Sequence, residues 1–401
     1  MGGRVIEQLQ KNIFKIYMFD FFCMFLVIMP VIVPIFTNLG LNMEKIFLLQ
    51  GIFGGTVALF EVPSGYMSDM WGRKKTLIVG AFLFGLGFTI MVFATDFWSL
   101  LLYEVVVGIG ISLMSGTDLA LLWDTIDSLK GQFSVAHDRA VANLHFIRLL
   151  AEAIAAILGG ILVTYSFHHV VVGNAIVMWI PFFVACTFVE PPKHVTLGAN
   201  HKDNFKTIYN QIVKKNPFVR LLFLNTVTWG LGTFFAVWCL HRHWQMSNIK
   251  LENFGYLWAL FNLVGGISGQ LVSRMKQTSK SMWLIFSALL IVLSYFMMGT
   301  YLSLIGVFFG MGFYVARGIN FVIFREWINK QFDSQFRATV NSVVSLGVRG
   351  VFFFVGPLIG FVIDRYSLQI ALYGLSIFYL ASFFIILRPL LVNKQNIYMS
   401  A

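Results

Sequence analysis

The sequence has little charge and little cysteine for its length. Only 12% of its 401 residues are charged and 58% are hydrophobic, with a mean hydropathy of +0.78. Since charged residues make up about 25% of an ordinary soluble domain, this composition excludes a soluble globular protein. The three cysteines, Cys23, Cys186 and Cys239, lie far apart in apolar sequence, so their spacing predicts neither a disulfide nor a metal site.

Motifs of the common enzyme classes are also missing. The sequence has no H-E-x-x-H spacing, no phosphate-binding P-loop, no dinucleotide-binding glycine pattern and no nucleophile elbow. His241 and His243 are two positions apart, which directs their side chains away from each other on a helix. We therefore predict no enzymatic activity, no metal and no cofactor, and any transport would not be powered by ATP hydrolysis in this chain.

Long apolar stretches dominate what is present. Stretches of 18 or more residues recur along the chain, and each is long enough to cross a hydrocarbon layer of about 30 Å as a helix. They lack the alternation of polar and apolar residues that is typical of membrane β-barrels. We predict an all-α integral membrane protein with twelve transmembrane helices. The predicted segments are 13–36, 45–67, 76–95, 98–125, 141–165, 168–189, 217–240, 252–273, 281–302, 304–326, 337–362 and 367–388.

The distribution of positive charge predicts the orientation. If the amino terminus is cytoplasmic, most of the 29 lysines and arginines fall in loops and tails on the cytoplasmic side. The net charge of +11 is therefore a topology signal and does not indicate a nucleic-acid partner. We expect a monomer in the lipid bilayer of a bacterial cytoplasmic membrane, with both termini cytoplasmic.

The longest polar interval, residues 190–216, follows the sixth segment. It predicts an N-terminal six-helix bundle over 1–189, a cytoplasmic linker over 190–216 and a C-terminal six-helix bundle over 217–401. Within the linker, "NFKTIYNQIVKK" has apolar residues at helical spacing, which predicts an interfacial helix.

A compact charged cluster interrupts the apolar sequence in "EVPSGYMSDMWGRKKTLI", residues 61–78. Its Gly65, Asp69, Gly72, Arg73 and Lys74 match the G-x-x-x-D-x-x-G-R-[RK] signature, and the chain resembles the major facilitator superfamily. The resemblance implies two six-helix bundles related by a pseudo-two-fold axis, which move a small molecule by alternating access. An alternative is that "GRKK" only anchors a positively charged cytoplasmic loop.

The resemblance also implies a gating role for this motif. Asp69 is expected to meet the start of the eleventh helix at "FRATVNS", residues 336–342, where the helix dipole favours a negative charge. Arg73 is expected to reach Asp124 or Asp127 at the end of the fourth helix. In the second half, "GQLVSRMKQTSK" contains no acid, so we expect the gate to be asymmetric.

A second motif, "SGTDLALLWDTI" at 115–126, is similar to one found in bacterial facilitators related to drug exporters. We therefore expect a proton-coupled, exporter-like carrier of a small organic solute. One departure is Glu104, which stands four residues before Gly108 where the exporter pattern has an arginine. Uptake of a polar or anionic nutrient is an alternative, and a membrane receptor or scaffold without transport is another.

Ionisable residues inside the predicted helices are the candidates for the transport site, because burying them without a function or a partner is costly. The candidates for proton coupling are Glu104, Asp20 and Glu152. The candidates for binding solute are Arg148, Arg317, Arg349, Tyr17, Tyr103, Trp229, Trp238 and Tyr314. Structural pairing is the alternative, either between Arg148 and Glu152 along one helix or between the other two arginines and Asp20 or Glu104.

Overall fold

The computed structural model describes residues 3–129, 137–192, 216–332 and 337–392, and these ranges contain helices and no strand. The interfacial helix predicted within the linker lies outside the described residues. Two compact units are present. The first comprises the described residues within Met1–Leu41, Leu48–Thr196 and Leu251–Ala259, and the second those within Asn42–Phe47, Leu197–Lys250 and Leu260–Ala401.

The chain up to residue 192 forms nine helices in the described ranges, with a short 3-10 turn at Met29–Val31 between the first two. They are α1 Gly3–Met24, α2 Ile32–Asn38, α3 Met43–Trp71, α4 Arg73–Val92, α5 Phe97–Met114, α6 Thr117–Ser128, α7 His137–Leu162, α8 Phe167–Val177 and α9 Ile180–Cys186.

From residue 216 onward the described chain forms seven more helices, with a π-helical turn at Phe383–Leu387 before the last. They are α10 Pro217–Met246, α11 Leu251–Ser273, α12 Gln277–Thr300, α13 Leu304–Lys330, α14 Arg337–Arg365, α15 Leu368–Ser382 and α16 Arg388–Val392.

The twelve predicted segments coincide with these helices, and the predicted fold class is confirmed. In the described part of the chain, eleven spans are long and apolar enough to cross a membrane. The twelfth predicted segment is α11, which is helical but less apolar because it carries Asn262 and Gln270. Three predicted segments are interrupted, since α1 and α2, α5 and α6, and α8 and α9 are pairs of helices within one span.

Most helices with a side-chain cap use a residue from just before their own first turn. Asp96 accepts a hydrogen bond from the backbone N–H of Ser99 at the start of α5, and Ser166 and Ser367 do the same for α8 and α15. The hydrogen bonds from Ser99 hold the pKa of Asp96 below its usual range. Two helices, α3 and α4, are instead capped by carboxylates from distant parts of the chain.

Candidate functional site

A cluster of one arginine and two aspartates lies where α1, α6 and α7 meet in the first unit. Nη2 of Arg148 lies 3.1 Å from each carboxylate oxygen of Asp20 and 2.5 Å from Oδ2 of Asp118. Asp20 is 2% exposed and Asp118 is 7% exposed. We call these three residues the triad.

Helix breaks place both aspartates of the triad. Gly116 adopts a φ of +81°, which side-chain-bearing residues rarely reach, and it separates α5 from α6 within one span. Asp118 therefore sits in the first turn of α6, where the N–H of Leu119 donates to its Oδ1 at 2.7 Å. Asp20 lies four residues, about one turn, before α1 ends at Met24. Interrupted membrane helices of this kind form the ion and solute sites of many secondary transporters.

The break after α1 is held by two contacts. The backbone N–H of Ile28 donates to Oδ1 of Asn174 at 3.3 Å, which satisfies a polar group outside any helix. Gly159 on α7 passes so close that an added Cβ would lie 2.1 Å from the carbonyl oxygen of Val27. A side chain at 159 would push α7, and Arg148 with it, away from the end of α1.

The charges of the triad are unequal. Two carboxylates share one guanidinium, so the three groups carry one negative charge in excess when all are ionised. A buried excess charge is unfavourable in the low dielectric of a membrane protein, and binding one proton or one cationic group would remove it. The arrangement is thus suited to taking up and releasing a proton.

The partners of Arg148 differ from the local alternative considered from the sequence. Spacing along one helix suggested that Arg148 would pair with Glu152. Arg148 instead lies between Asp20 and Asp118, which are 128 and 30 residues away in sequence. Asp118 lies in the "SGTD" stretch, which the sequence singled out by its resemblance without giving Asp118 a role.

Glu104 lies apart from the triad on α5. It is 3% exposed, and its Oε1 accepts a hydrogen bond of 2.5 Å from the side-chain amide of Gln50 on α3. Gln50 was not among the residues singled out from the sequence, since a lone glutamine in an apolar segment gives no pattern. Its amide can donate to either protonation state of the carboxyl group.

The charged motif between α3 and α4 forms a network centred on Arg73. Nη1 of Arg73 lies 2.7 Å from Oδ1 of Asp69 and 2.8 Å from Oγ of Ser68. Its Nε lies 3.3 Å from Oδ2 of Asp124, and Asp127 is half-buried one turn further along α6. The gating contact of Asp69 with 336–342 stays a prediction, because the first residue of that segment lies outside the described residues.

Glu190 adds a residue to this network that the sequence did not reveal. Its two carboxylate oxygens each accept a hydrogen bond of 2.7 Å, one from the backbone N–H of Arg73 and one from that of Lys74. Gly72, at a φ of +97°, makes room for the carboxylate, since an added Cβ would lie 2.8 Å from its Oε1. The segment that follows α9 thereby caps α4. At Gly65, in contrast, nothing described lies within 4 Å of an added Cβ.

The family model of the Major Facilitator Superfamily matches residues 13–357. The chain belongs to the major facilitator superfamily. The chain is similar to curated relatives that bear transporter names. The chain is 27% identical over 235 residues to an uncharacterized transporter of Buchnera aphidicola. The aligned stretch covers 57% of this chain and 56% of the relative. The chain is 30% identical over 101 residues to the inner membrane transport protein YajR of Escherichia coli, which covers 24% and 22%.

The chain thus matches about half the length, or less, of these curated relatives. Two solved structures share its fold over nearly the whole chain. The nucleoside transporter NupG aligns with a TM-score of 0.71 at 13% identity, covering 97% of this chain and 99% of NupG. A bacterial homolog of the human lysosomal transporter Spinster aligns with a TM-score of 0.69 at 15% identity, covering 100% and 96%. At these identities the likeness shows the facilitator fold alone.

The second half of this facilitator has a charge cluster where the start of α12 lies beside the end of α13. The Nζ of Lys280 is paired with Oε2 of Glu326, and Lys330 lies 2.9 Å from the other oxygen. Lys280 is 5% exposed. The second copy of the loop motif contains no acid, and the carboxylate that pairs with its Lys280 comes from Glu326 near the end of α13.

The two other predicted arginines differ in exposure. Arg317 on α13 is exposed and Arg349 on α14 is half-buried. Within the first unit, the acids considered as their structural partners bind other groups, since Asp20 pairs with Arg148 and Glu104 binds Gln50. Solute binding by either arginine stays a prediction.

The predicted aromatic residues are mostly buried in packing contacts. The indole N–H of Trp229 donates to Asn225 at 3.0 Å, and Tyr103 packs edge-on against Phe88. The hydroxyl of Tyr17 donates to the carbonyl oxygen of Ala140 at 3.4 Å. Trp238 and Tyr314 are 4% and 3% exposed.

Proposed function

We propose that this chain is a secondary transporter that moves a small organic solute across the bacterial cytoplasmic membrane by alternating access and couples that movement to protons. Membership of the major facilitator superfamily supports the transport class. The transporter names of its bacterial relatives, one of them an inner membrane protein, support the class and the location. Cytoplasmic termini follow from the positive charge of the loops.

The triad is the observation that most directly supports proton coupling. A coupling group has to be buried, able to lose its charge, and linked to helices that move. Asp20 and Asp118 meet the first condition by their burial and the second by sharing one guanidinium. Both lie at helix breaks, so a change in their charge acts directly on the ends of α1 and α6. Arg148 keeps one carboxylate ionised while the other accepts the proton.

We propose export as the direction. The "SGTD" stretch that resembles the exporter-related set supplies both the helix break and Asp118, and it is therefore part of the proposed coupling site. Arg317 and Arg349 favour a solute with a carboxylate or similar group, because a guanidinium binds such groups through two parallel hydrogen bonds.

The proposal can be tested before the solute is identified. Reconstituted protein should show an infrared band of protonated carboxyl groups that titrates with pH, and Asp20→Asn or Asp118→Asn should remove one carboxyl equivalent from it. Asp96→Asn serves as the matched control, because Asp96 is an exposed helix cap outside the triad. Glu104→Gln, measured in parallel, reports the contribution of the other buried carboxyl group.

The transport experiment uses inverted membrane vesicles with a pH-sensitive dye and a panel of amphiphilic carboxylates. A solute that the wild type exports should dissipate the proton gradient, and the two triad variants should lose this response while the Asp96→Asn control keeps it. Proton movement of wild-type size in both triad variants would show that the triad does not couple transport.

A further inference from the structure

An open groove of about 310 Å³ lies between α1 and α9 in the first unit. Its lining residues are Phe14, Lys15 and Met18 from α1 and Phe183, Val184 and Thr187 from α9 and its C-cap. The rings of Phe14 and Phe183 are 66% and 63% exposed, and both lie in helices that are apolar enough to cross a membrane. Exposed phenyl rings are unfavourable against water and favourable against acyl chains, so the groove opens toward lipid.

The two sides of the groove are held together at its base. The buried side chain of Asn12 exchanges two hydrogen bonds with the backbone of Val189, donating one of 2.6 Å to the carbonyl oxygen and accepting one of 3.0 Å from the N–H. The rings of Phe19 and Phe188, which are also buried, lie 5.6 Å apart. These contacts hold α1 against α9 and the residues that follow it. The groove is therefore a fixed feature of the first unit and not a gap between loosely packed helices.

Lys15 brings a positive charge to this apolar surface. Its Nζ donates a hydrogen bond of 2.6 Å to the carbonyl oxygen of Thr187, which uses one of the three donors of the ammonium group. Among the described residues, Lys15 pairs with no carboxylate. The acids on the adjoining segments are bound elsewhere, Glu7 to Lys11 and Glu190 to the N–H groups at the start of α4. Two donors of Lys15 thus remain for an anion.

Two more lysines reinforce this charge. The positive charges of Lys11 and Lys74 act on Lys15, so the charged end of the groove has a positive potential. Positive potential beside an apolar channel matches a molecule with a negative headgroup and a hydrocarbon chain. A soluble anion would leave the apolar lining uncovered, and a zwitterionic lipid would bring a cationic group of its own to the lysines.

We infer that the groove binds an anionic phospholipid, with the lipid phosphate on Lys15 and one acyl chain along the apolar lining. The leaflet follows from the proposed orientation of the chain, because with a cytoplasmic amino terminus Lys15 lies near the cytoplasmic end of the first span. The four-carbon stem of Lys15 lets its ammonium group reach the level of the headgroups. The bound lipid bridges α1 and α9.

The inference is tested with a bimane fluorophore on Cys186, which is exposed and directly precedes Thr187, whereas Cys23 and Cys239 are buried. Labelled full-length protein is placed in vesicles with fixed contents of phosphatidylglycerol and phosphatidylcholine in both leaflets. Bromines that quench the fluorophore are carried on the acyl chains of one lipid or the other. At equal mole fraction, brominated phosphatidylglycerol should quench about two- to fivefold more strongly than brominated phosphatidylcholine. Equal quenching by the two lipids would overturn the inference.

Substitutions identify the charge and the groove. Lys15→Gln can still donate to Thr187 but lacks the charge, so the quenching ratio should fall toward one, and Lys15→Arg should keep it. Val184→Phe fills the groove without changing its charge and should also lower the ratio. Lys330→Gln is the matched control, because it removes an exposed lysine of the second unit that pairs with Glu326, and it should leave the ratio unchanged.

Either of two results with these variants would refute the lipid site. An unchanged ratio in Lys15→Gln would show that the preference comes from the overall positive charge of the chain, and an unchanged ratio in Val184→Phe would show that no acyl chain occupies the groove. The measurement needs no solute or proton gradient, and both leaflets contain both lipids. Its outcome is therefore independent of the triad and of the proposed orientation.

Discussion

Gly72→Ala should destabilise the protein strongly, whereas Gly65→Ala should not, although both glycines belong to the same loop motif. Gly72 has a φ of +97° and a ψ of 157°, a region of backbone conformation that is almost restricted to glycine. Gly65 lies within α3 with nothing described within 4 Å of an added Cβ. Both substitutions add one methyl group, but the added group strains the backbone at position 72 and not at position 65.

The size of the effect follows from two terms. Forcing alanine into the conformation of Gly72 costs about 1–3 kcal/mol. Its methyl group also displaces Glu190, and losing the two hydrogen bonds that cap α4 costs about 1–2 kcal/mol more, discounted because this carboxylate is only half-buried. We expect a total loss of about 2–5 kcal/mol. Gly65→Ala should instead stabilise α3 by up to about 1 kcal/mol, since alanine is the better helix former.

The assay is reversible unfolding in mixed micelles at increasing mole fractions of SDS, followed by the fluorescence of the ten tryptophans. Glu190→Gln is the accompanying control, because it keeps one acceptor without straining the backbone at Gly72. Its loss of unfolding free energy should be only part of that of Gly72→Ala. Equal unfolding free energies for Gly72→Ala and Gly65→Ala would refute the reasoning. If Glu190→Gln lost as much unfolding free energy as Gly72→Ala, the hydrogen-bonded cap, and not backbone strain, would dominate the effect.

Two further predictions concern buried polar pairs, and the same unfolding assay checks them. Glu104→Gln should retain wild-type stability because it still accepts from Gln50, whereas Glu104→Leu should lose about 1–3 kcal/mol by leaving that amide unpaired; equal stabilities would contradict this. Lys280→Met should lower the free energy of unfolding by about 1–3 kcal/mol, which is less than for a fully broken buried pair, because Glu326 keeps its contact with Lys330. Lys330 is more exposed, so Lys330→Met should lower that free energy by less. A larger loss for Lys330→Met than for Lys280→Met would contradict the assignment.

The helices and the family could be predicted from the sequence because their signals are local. A transmembrane helix needs a run of apolar residues of sufficient length, and both properties are visible in a short window. The loop motif holds its five residues within ten positions, so Gly72 and Arg73 could be recognised without a structure. The motif that contains Gly116 could be recognised in the sequence, but the helix break at Gly116 could not be predicted. The adjoining residues are apolar enough to continue as one helix.

The partners of the buried charges were decided only by the tertiary structure. Spacing along a helix offered Glu152 for Arg148, yet the neighbouring helices bring Asp20 and Asp118 to it. Glu190 and Asp364 lie 117 and 321 residues from the N–H groups of Arg73 and Met43, and nothing in their local sequence marks them as caps. The physical reason is that a charge in a membrane protein must find a partner, but the choice depends on which helices pack together. Hydropathy shows that these helices enter the membrane and carries no information on which of them become neighbours.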